Sequence, residues 1–95
     1  MAVYVVTWNL NKERANYDAA RSAFIKHLEQ AYTSKADSGL ETVRFISTTQ
    51  TPEQIDTYLR QKMDANDRLL VSKMNAGQHQ GWLSKDTWDW INKHL

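Results

Sequence analysis

The fold is decided by a nearly all-apolar run near the start of the chain, Ala2-Val3-Tyr4-Val5-Val6-Thr7-Trp8. Valine, threonine and aromatic side chains favour β-strands, so the run predicts a strand. Successive side chains of a strand alternate between its two sides. Here both sets are apolar or aromatic: Val3, Val5 and Thr7 on one side, and Tyr4, Val6 and Trp8 on the other. A strand of this kind is expected to be covered on both faces.

A helix and a second strand are predicted next along the chain. Asn16 is a candidate helix cap, and the apolar residues behind it recur at helical spacing: Tyr17, Ala20, Phe24, Leu28 and Ala31. The polar, glycine-containing segment 33–41 is typical of a loop. Residues 42–48 are rich in β-branched side chains and predict a strand, whose face with Arg44 and Thr48 is expected to be the wetter one.

The second half of the chain predicts a helix, a strand and a final helix. Thr51-Pro52-Glu53-Gln54 has the pattern of a capping box with proline in the first helical turn. Residues 68–74 predict a third strand with a buried Leu-Leu-Val centre. Ser84 is the expected cap of the last helix, with Leu83 and Trp88 placed to form a hydrophobic staple. The inward stripe of that helix is expected to be Trp88, Ile91 and Leu95.

The predicted order is therefore strand, helix, strand, helix, strand, helix, which is an α/β (α+β) arrangement in a single domain covering residues 1–95. One solution is a ferredoxin-like plait, in which the stretch from Glu41 to Gln50 bends into a hairpin between the helices. The alternative is a three-stranded open parallel sheet with helical crossovers. The pattern alone does not choose between them.

Composition limits the classes of function. The chain has 95 residues, no cysteine, and 12 basic against 11 acidic residues, for a formal net charge of +1. Disulfides and cysteine-based zinc sites are excluded, and a reducing, cytoplasmic location is expected. The near-neutral balance predicts no overall attraction to nucleic acid or to a membrane. No segment has the length of a membrane helix. A domain this small buries a limited share of its surface, which favours self-association.

Two polar clusters are candidate sites. The first strand runs into Asn9, Asn11, Lys12 and Glu13, and strand ends of α/β sheets commonly form binding crevices. Asp64, Asn66 and Asp67 precede the third strand, where two carboxylates would hold a magnesium ion together with water. Their spacing is not a metal signature. Both clusters also have the composition of ordinary turns.

The C-terminal third carries a histidine and three tryptophans that the core does not obviously require. His79 lies in a glycine-bounded loop, the kind of segment that often carries function. Trp82, Trp88 and Trp90 fall within nine residues, and Trp88 and Trp90 lie about 200° apart on a helix. If Trp88 packs inward, Trp90 is expected to face elsewhere, which indicates a contact surface. With Lys73 and Lys85 nearby, this surface predicts a dimer seam, a folded-back C-terminus or stacking on a nucleic-acid strand.

The order of these segments resembles a known family. It comprises Tyr4-Val5-Val6-Thr7-Trp8-Asn9-Leu10, a helix, Ile46-Ser47-Thr48 ahead of Thr51-Pro52-Glu53-Gln54, and the strand that starts at Arg68. This layout is similar to that of the small ferredoxin-like proteins related to the CRISPR adaptation nuclease subunit and to virulence-associated protein D, over about three quarters of the chain. The resemblance implies a plait, a homodimer joined through sheets, and metal-dependent cleavage of nucleic acid. In that family an aspartate follows the first strand, and the matching residue here is Asn9, a much poorer magnesium ligand.

The leading hypothesis is a cytoplasmic, prokaryotic or phage homodimer that binds nucleic acid or a protein partner without catalysis and without a cofactor. The candidate binding residues are Lys12, Lys73, His79, Trp82, Lys85 and Trp90. The rival is an endoribonuclease that uses Mg²⁺ or Mn²⁺. Its candidate catalytic residues are Asn9, Asp67 and His79, and its metal ligands are Asp64 and Asp67. A third hypothesis is a protein-interaction or inhibitor module.

Overall fold

A computed structural model describes residues 1–12 and 15–95. The described chain contains four strands and three helices, with a 3₁₀ turn at Arg60–Lys62 after the second helix. In chain order they are β1 (Ala2–Asn9), α1 (Tyr17–Ala31), β2 (Thr33–Lys35), β3 (Val43–Thr48), α2 (Pro52–Leu59), β4 (Arg68–Met74) and α3 (Lys85–His94). None of these helices has the length and apolar character needed to cross a membrane.

The four strands form one sheet in the order β2-β3-β1-β4, with every neighbouring pair antiparallel. β1 and β2 therefore run parallel to each other with β3 inserted between them. With α1 and α2 as the two connections, this is the ferredoxin-like plait, and the prediction of that fold is confirmed. The alternative of a three-stranded parallel sheet is wrong.

The prediction of a loop over residues 33–41 is also wrong, because its first three residues form β2. Thr33 pairs with Ser47 and Lys35 with Phe45, so the hairpin between the helices begins at Thr33 rather than at Glu41. The segment Thr33-Ser34-Lys35 has no apolar residue and no detectable strand pattern. It becomes a strand because β3 offers it a row of backbone partners.

The predicted starts of the three helices are confirmed, and the residue before each helix forms different hydrogen bonds. Thr51 and Gln54 form the expected capping box: the Thr51 hydroxyl accepts from the Gln54 N–H (3.1 Å), and the Gln54 side chain accepts from the Thr51 N–H (2.9 Å). Asn16 precedes α1 without a side-chain cap. Ser84 precedes α3, and its hydroxyl bonds to other side chains instead of the helix backbone.

The main core lies between α1, α2 and one face of the sheet, here called the core face. Tyr4, Val6 and Trp8 of β1 point into it, and the Trp8 and Phe24 rings meet with centroids 4.9 Å apart. The two helices are joined by a reciprocal contact. The His27 ring stacks on Tyr58 at 3.8 Å and bonds to its backbone carbonyl (2.8 Å), while the Tyr58 hydroxyl donates to the His27 carbonyl (2.7 Å).

The opposite face of the sheet, here called the second face, is partly covered by α3. Val3, Thr87 and Ile91 are fully buried there. The buried face of α3 therefore differs from the expected one. Ile91 is buried as predicted, but Thr87 is buried in place of Trp88, which is only half-buried. Leu95 is 42% exposed. The prediction that β1 is covered on both sides is borne out at its Val3 end, where the chain's own C-terminal helix supplies the second cover.

Two further expectations about the strands were wrong. Leu70 is 60% exposed, because β4 is an edge strand and α3 covers the far end of the second face. The face of β3 with Arg44 and Thr48 is not wet: it lies against the helices, Thr48 is buried, and the Arg44 guanidinium sits 5.8 Å from the centre of the Trp8 ring. Burial lowers the pKa of Arg44, although the nearby Glu29 opposes that shift.

Candidate functional site

The predicted acidic cluster makes hydrogen bonds that hold the backbone at the end of β1. Asp67 is 8% exposed, and each of its oxygens accepts a backbone N–H: Oδ1 from Asn11 (2.7 Å) and Oδ2 from Asp64 (2.9 Å). Asp64 in turn accepts from the Asn66 N–H (2.8 Å), as in an aspartate turn. Asp67 therefore ties the exit of β1 to the turn that leads into β4.

Asn9 lies at the same end of the sheet. It is exposed, is the last residue of β1 and pairs with Arg68 of β4. Lys12 is exposed in the turn that follows, and the neighbouring Glu13 lies outside the described residues.

A cleft of about 500 Å³ opens beside the acidic cluster. It is lined by Asp56, Arg60, Met63, Asp64, Ala65, Asp67, Arg68 and Leu69. Its charged lining consists of three aspartates and two arginines, and Arg60 pairs with Asp56 at 3.3 Å. Over residues 1–12 and 15–95, no three histidine or carboxylate side chains come together in an arrangement that could hold a metal ion. Asp64 and Asp67 would have to act as ligands while also accepting the backbone hydrogen bonds described above.

His79 lies at the opposite end of the sheet. The seven residues of β4 separate Asp67, at its start, from the loop that carries His79, a length of roughly 20 Å along the strand. The structure therefore brings Asn9 and Asp67 to one end of β4 and does not bring His79 to them. Sequence spacing could not show this, because it does not reveal which strand ends share an edge.

The loop after β4 is shaped by a tight turn. The Gln78 N–H bonds to the Asn75 carbonyl (2.9 Å), and Gly77 between them has φ = 76°, which places glycine at the third position of a type II turn. The turn carries His79 back toward the second face. The His79 Nδ1–H donates to the Asn75 carbonyl at 3.0 Å, since a carbonyl only accepts.

A cavity of about 280 Å³, here called the loop cavity, lies under this loop. Its lining is mainly apolar with amides at the rim: Val5, Phe45, Ser72, Lys73, Met74, Gln78, His79, Gln80, Gly81, Leu83 and Trp88. The His79 and Trp88 rings are nearly parallel, at an angle of 13° with centroids 6.0 Å apart. The predicted staple residues Leu83 and Trp88 both line this cavity.

The aromatic surface differs from expectation in which tryptophan is exposed. Trp82 is 99% exposed, whereas Trp90 is half-buried because the His94 ring stacks on it at 4.2 Å. Lys85 is exposed and pairs with Asp89 at 2.8 Å, one helical turn away. Lys73 is exposed on β4, and its pairing with Tyr4 directs its side chain to the core-face side of the sheet, away from the loop cavity.

Sequence reasoning missed a polar cluster at the start of α3. The Asp37 carboxylate accepts from the Ser84 N–H (3.0 Å), the Gly39 N–H (2.8 Å) and the fully buried Thr87 hydroxyl (2.8 Å). These bonds, led by that of the Ser84 N–H, lower the pKa of Asp37 to about 2. Asp37 thus caps α3 from a loop 47 residues earlier, and no local pattern could have revealed the pairing.

Comparisons of this chain with models of protein families, with curated proteins and with solved structures found no match.

Proposed function

We propose that this protein acts by binding another protein chain as a homodimer, without catalysis, and that the outer edge of β4 is the contact surface. The observation that carries the proposal is the exposure of this edge. β4 has a strand neighbour on one side only, and Leu70 at its centre is 60% exposed.

An unpaired edge strand is a template for pairing with another chain. Proteins usually keep such edges short or charged, and β2, at the other edge, has three polar residues. β4 has seven residues, with its two charges, Arg68 and Lys73, near the ends and three apolar residues and one serine between them. Antiparallel pairing of two β4 strands about a two-fold axis would join two sheets into one and cover Leu70 in both copies.

The charge distribution favours a protein partner over nucleic acid. Binding to a nucleic-acid strand draws much of its affinity from cations that neutralise phosphates. The net charge here is +1, and lysines of the α3 side are paired with acids: Lys85 with Asp89, and Lys35 with Asp86 at 2.7 Å. These two ion pairs neutralise part of the positive charge on the side of the protein that carries the exposed Trp82.

The arrangement of the candidate catalytic residues favours binding over cleavage. A proton carrier must reach the reacting group within hydrogen-bond distance or through one water. His79 is separated from Asn9 and Asp67 by most of the length of β4. Asp67 also holds two backbone N–H groups, and a metal ion would compete with those bonds.

Sedimentation of the purified chain over a concentration series tests the proposal. Covering the exposed part of Leu70 contributes about 1–2 kcal/mol per copy, or roughly tenfold in the dissociation constant for each copy. Leu70→Lys is therefore expected to weaken the dimer about 100-fold or more. Ala23→Lys, which adds the same charge on an exposed position of α1, is expected to leave it unchanged. A chain that stays monomeric at millimolar concentration, or a dimer that Leu70→Lys does not affect, contradicts the proposal.

The rival functions have separate assays. Single-stranded RNA and DNA are incubated with Mg²⁺ or Mn²⁺, and we expect no cleavage. Metal-dependent cutting that is lost in both Asp67→Ala and Asn9→Ala would establish the endoribonuclease. Salt-sensitive binding of oligonucleotides without cutting, weakened by Trp82→Ala, would establish nucleic-acid binding instead.

A further inference from the structure

A concave feature lies on each side of β4, next to its unpaired edge. On the second face Ser72 and Met74 line the loop cavity, in which the apolar Val5 and Trp88 are only half-buried. On the core-face side Leu69 lines the cleft of about 500 Å³ beside the acidic cluster, here called the acidic cleft. Any chain that pairs with the β4 edge therefore meets both features.

The symmetry of a dimer restricts the register in which two β4 strands pair. A two-fold axis perpendicular to the sheet keeps the second faces of both copies on one side. Directly opposite residues of antiparallel strands also point to one side, so the axis passes through a residue and not between two residues. An axis at Val71 pairs all of β4, whereas an axis at Leu70 pairs only residues 68–72 and an axis at Ser72 only residues 70–74. The register about Val71 thus gives the longest backbone pairing.

On the second face, this register places Leu70 of the second copy opposite Ser72. The Cβ atoms of directly opposite residues lie about 4.5–5.5 Å apart, and Ser72 is a small side chain that lines the loop cavity. The leucine therefore extends over Ser72 toward Met74 and the apolar lining. One contact covers both the exposed leucine and the open side of the cavity.

On the core-face side, the same register places Lys73 of the second copy opposite Leu69. Lys73 points to this side because it pairs with Tyr4, and Leu69 lines the acidic cleft. The charged lining of the cleft has three aspartates against two arginines, so carboxylates are in excess. The lysine of the second copy therefore brings its ammonium group to a surface of opposite charge. Arg68 lies opposite Met74 in this register, so neither cation of β4 faces another cation.

Resting on the proposed dimer, we propose that two copies pair their β4 strands about Val71, and that each supplies Leu70 to the loop cavity and Lys73 to the acidic cleft of the other. The two concave features then belong to one interface, and each is completed by the second copy of this chain.

Disulfide formation between introduced cysteines tests the register, because the chain has no cysteine of its own. Val71→Cys is expected to crosslink with itself under mild oxidation, since opposite Cα atoms lie about 4.5–5.5 Å apart and a disulfide spans about 4.4–6.8 Å. Leu70→Cys and Ser72→Cys are each expected not to crosslink alone, because an offset of two residues separates the two copies by more than about 7 Å. A mixture of the two variants is expected to give the mixed disulfide, identified by its mass. Ala23→Cys, exposed on α1, is the control for random collisions.

Tryptophan fluorescence tests whether Leu70 reaches the loop cavity. The measurement uses the disulfide-linked Val71→Cys dimer with Trp82→Phe, which removes the fully exposed indole and keeps Trp88 as a reporter. Leu70→Ala in this linked dimer is expected to shift the emission to the red, because water then reaches Trp88. The same substitution in the reduced protein, diluted to the monomer, is expected to cause no shift.

Sedimentation tests the contact with the acidic cleft. Lys73→Gln is expected to weaken the dimer about threefold to tenfold at low salt. This difference should shrink at high salt, because ions screen exposed charges. Lys26→Gln, on an exposed position of α1, is expected to leave the dimer unchanged. The circular dichroism spectrum first shows that each variant is folded.

The outcomes separate this proposal from the proposed dimer itself. A dimer in which Val71→Cys crosslinks no faster than Ala23→Cys, or in which Leu70→Cys crosslinks readily with itself, overturns the register and leaves the β4 dimer standing. A linked Val71→Cys dimer whose emission ignores Leu70→Ala, or a dimer whose affinity ignores Lys73→Gln, overturns the assigned contacts. A chain that remains monomeric overturns both proposals.

Discussion

The attachment of α3 to the sheet depends on a buried hydroxyl, and its removal gives a quantitative prediction. Thr87 is fully buried, and its Oγ1 donates to Asp37 at 2.8 Å. Thr87→Val keeps the shape of the side chain and deletes the bond. Hydrogen bonds to charged groups contribute about 1.5–3 kcal/mol, and we expect a loss of that size in the free energy of unfolding. For a domain of this length this corresponds to a fall of roughly 6–20 °C in melting temperature.

Urea denaturation followed by circular dichroism measures this loss. Thr87→Ser keeps the hydroxyl and removes one methyl group, so we expect it to lose about 1 kcal/mol. The slope of unfolding free energy against urea should be the same in all three proteins, because the surface exposed on unfolding is unchanged. If Thr87→Val is as stable as the parent chain at neutral pH, or less damaging than Thr87→Ser, the assigned role of Asp37 is wrong.

The same bond predicts a dependence on pH. The pKa of Asp37 in the folded chain is about 2, below its ordinary value of 3.8, because the Ser84 N–H and the other donors favour the carboxylate. A lowered folded pKa means that the stabilisation is present above about pH 4 and is lost as the pH falls toward 2. The stability difference between Thr87→Val and the parent chain should therefore narrow over that interval. A difference that stays constant from neutral pH to pH 2 contradicts the assignment.

Three further substitutions test the packing. Ile91→Ala should lower the free energy of unfolding by about 2–5 kcal/mol in urea titration, because Ile91 is fully buried under α3; a smaller loss would mean that α3 packs loosely. Tyr58→Phe removes the 2.7 Å bond to the His27 carbonyl and should cost about 0.5–1.5 kcal/mol in the same assay; no change would show that the α1–α2 contact is not stabilising. Trp82→Ala should alter the free energy of unfolding by less than about 0.5 kcal/mol, since this side chain is 99% exposed. The substitution should also remove the most red-shifted component of the tryptophan emission spectrum. A large loss of stability would contradict the exposed position.

The structure changes the interpretation of Asn9. From the sequence, its amide stands where the resembling family places an aspartate. In the structure the Asp67 carboxylate accepts a hydrogen bond from the Asn11 N–H just after the end of β1. The carboxylate at this end of the sheet thus comes from a turn 58 positions after Asn9 in the chain. Its hydrogen bonds to the Asn11 and Asp64 N–H groups hold the backbone together.

The sequence by itself determined the local structure, because local structure depends on neighbouring residues. The alternation in β1, the helical spacing behind Asn16 and the capping box at Thr51 each act within a few residues, and each element appeared where it was predicted. The fold class followed from the order of these elements, although the choice between the plait and the parallel sheet did not.

Only the tertiary structure decided the features that join distant parts of the chain. β2 has no apolar pattern and exists because β3 provides its partners. Leu70 is exposed because β4 is an edge, while Trp90 is covered by His94 and Trp82 by nothing in the described chain. Asp37 and Thr87 meet across 50 positions. These outcomes depend on which surfaces remain uncovered after the elements pack, and that is a property of the whole domain, which no single stretch of sequence contains.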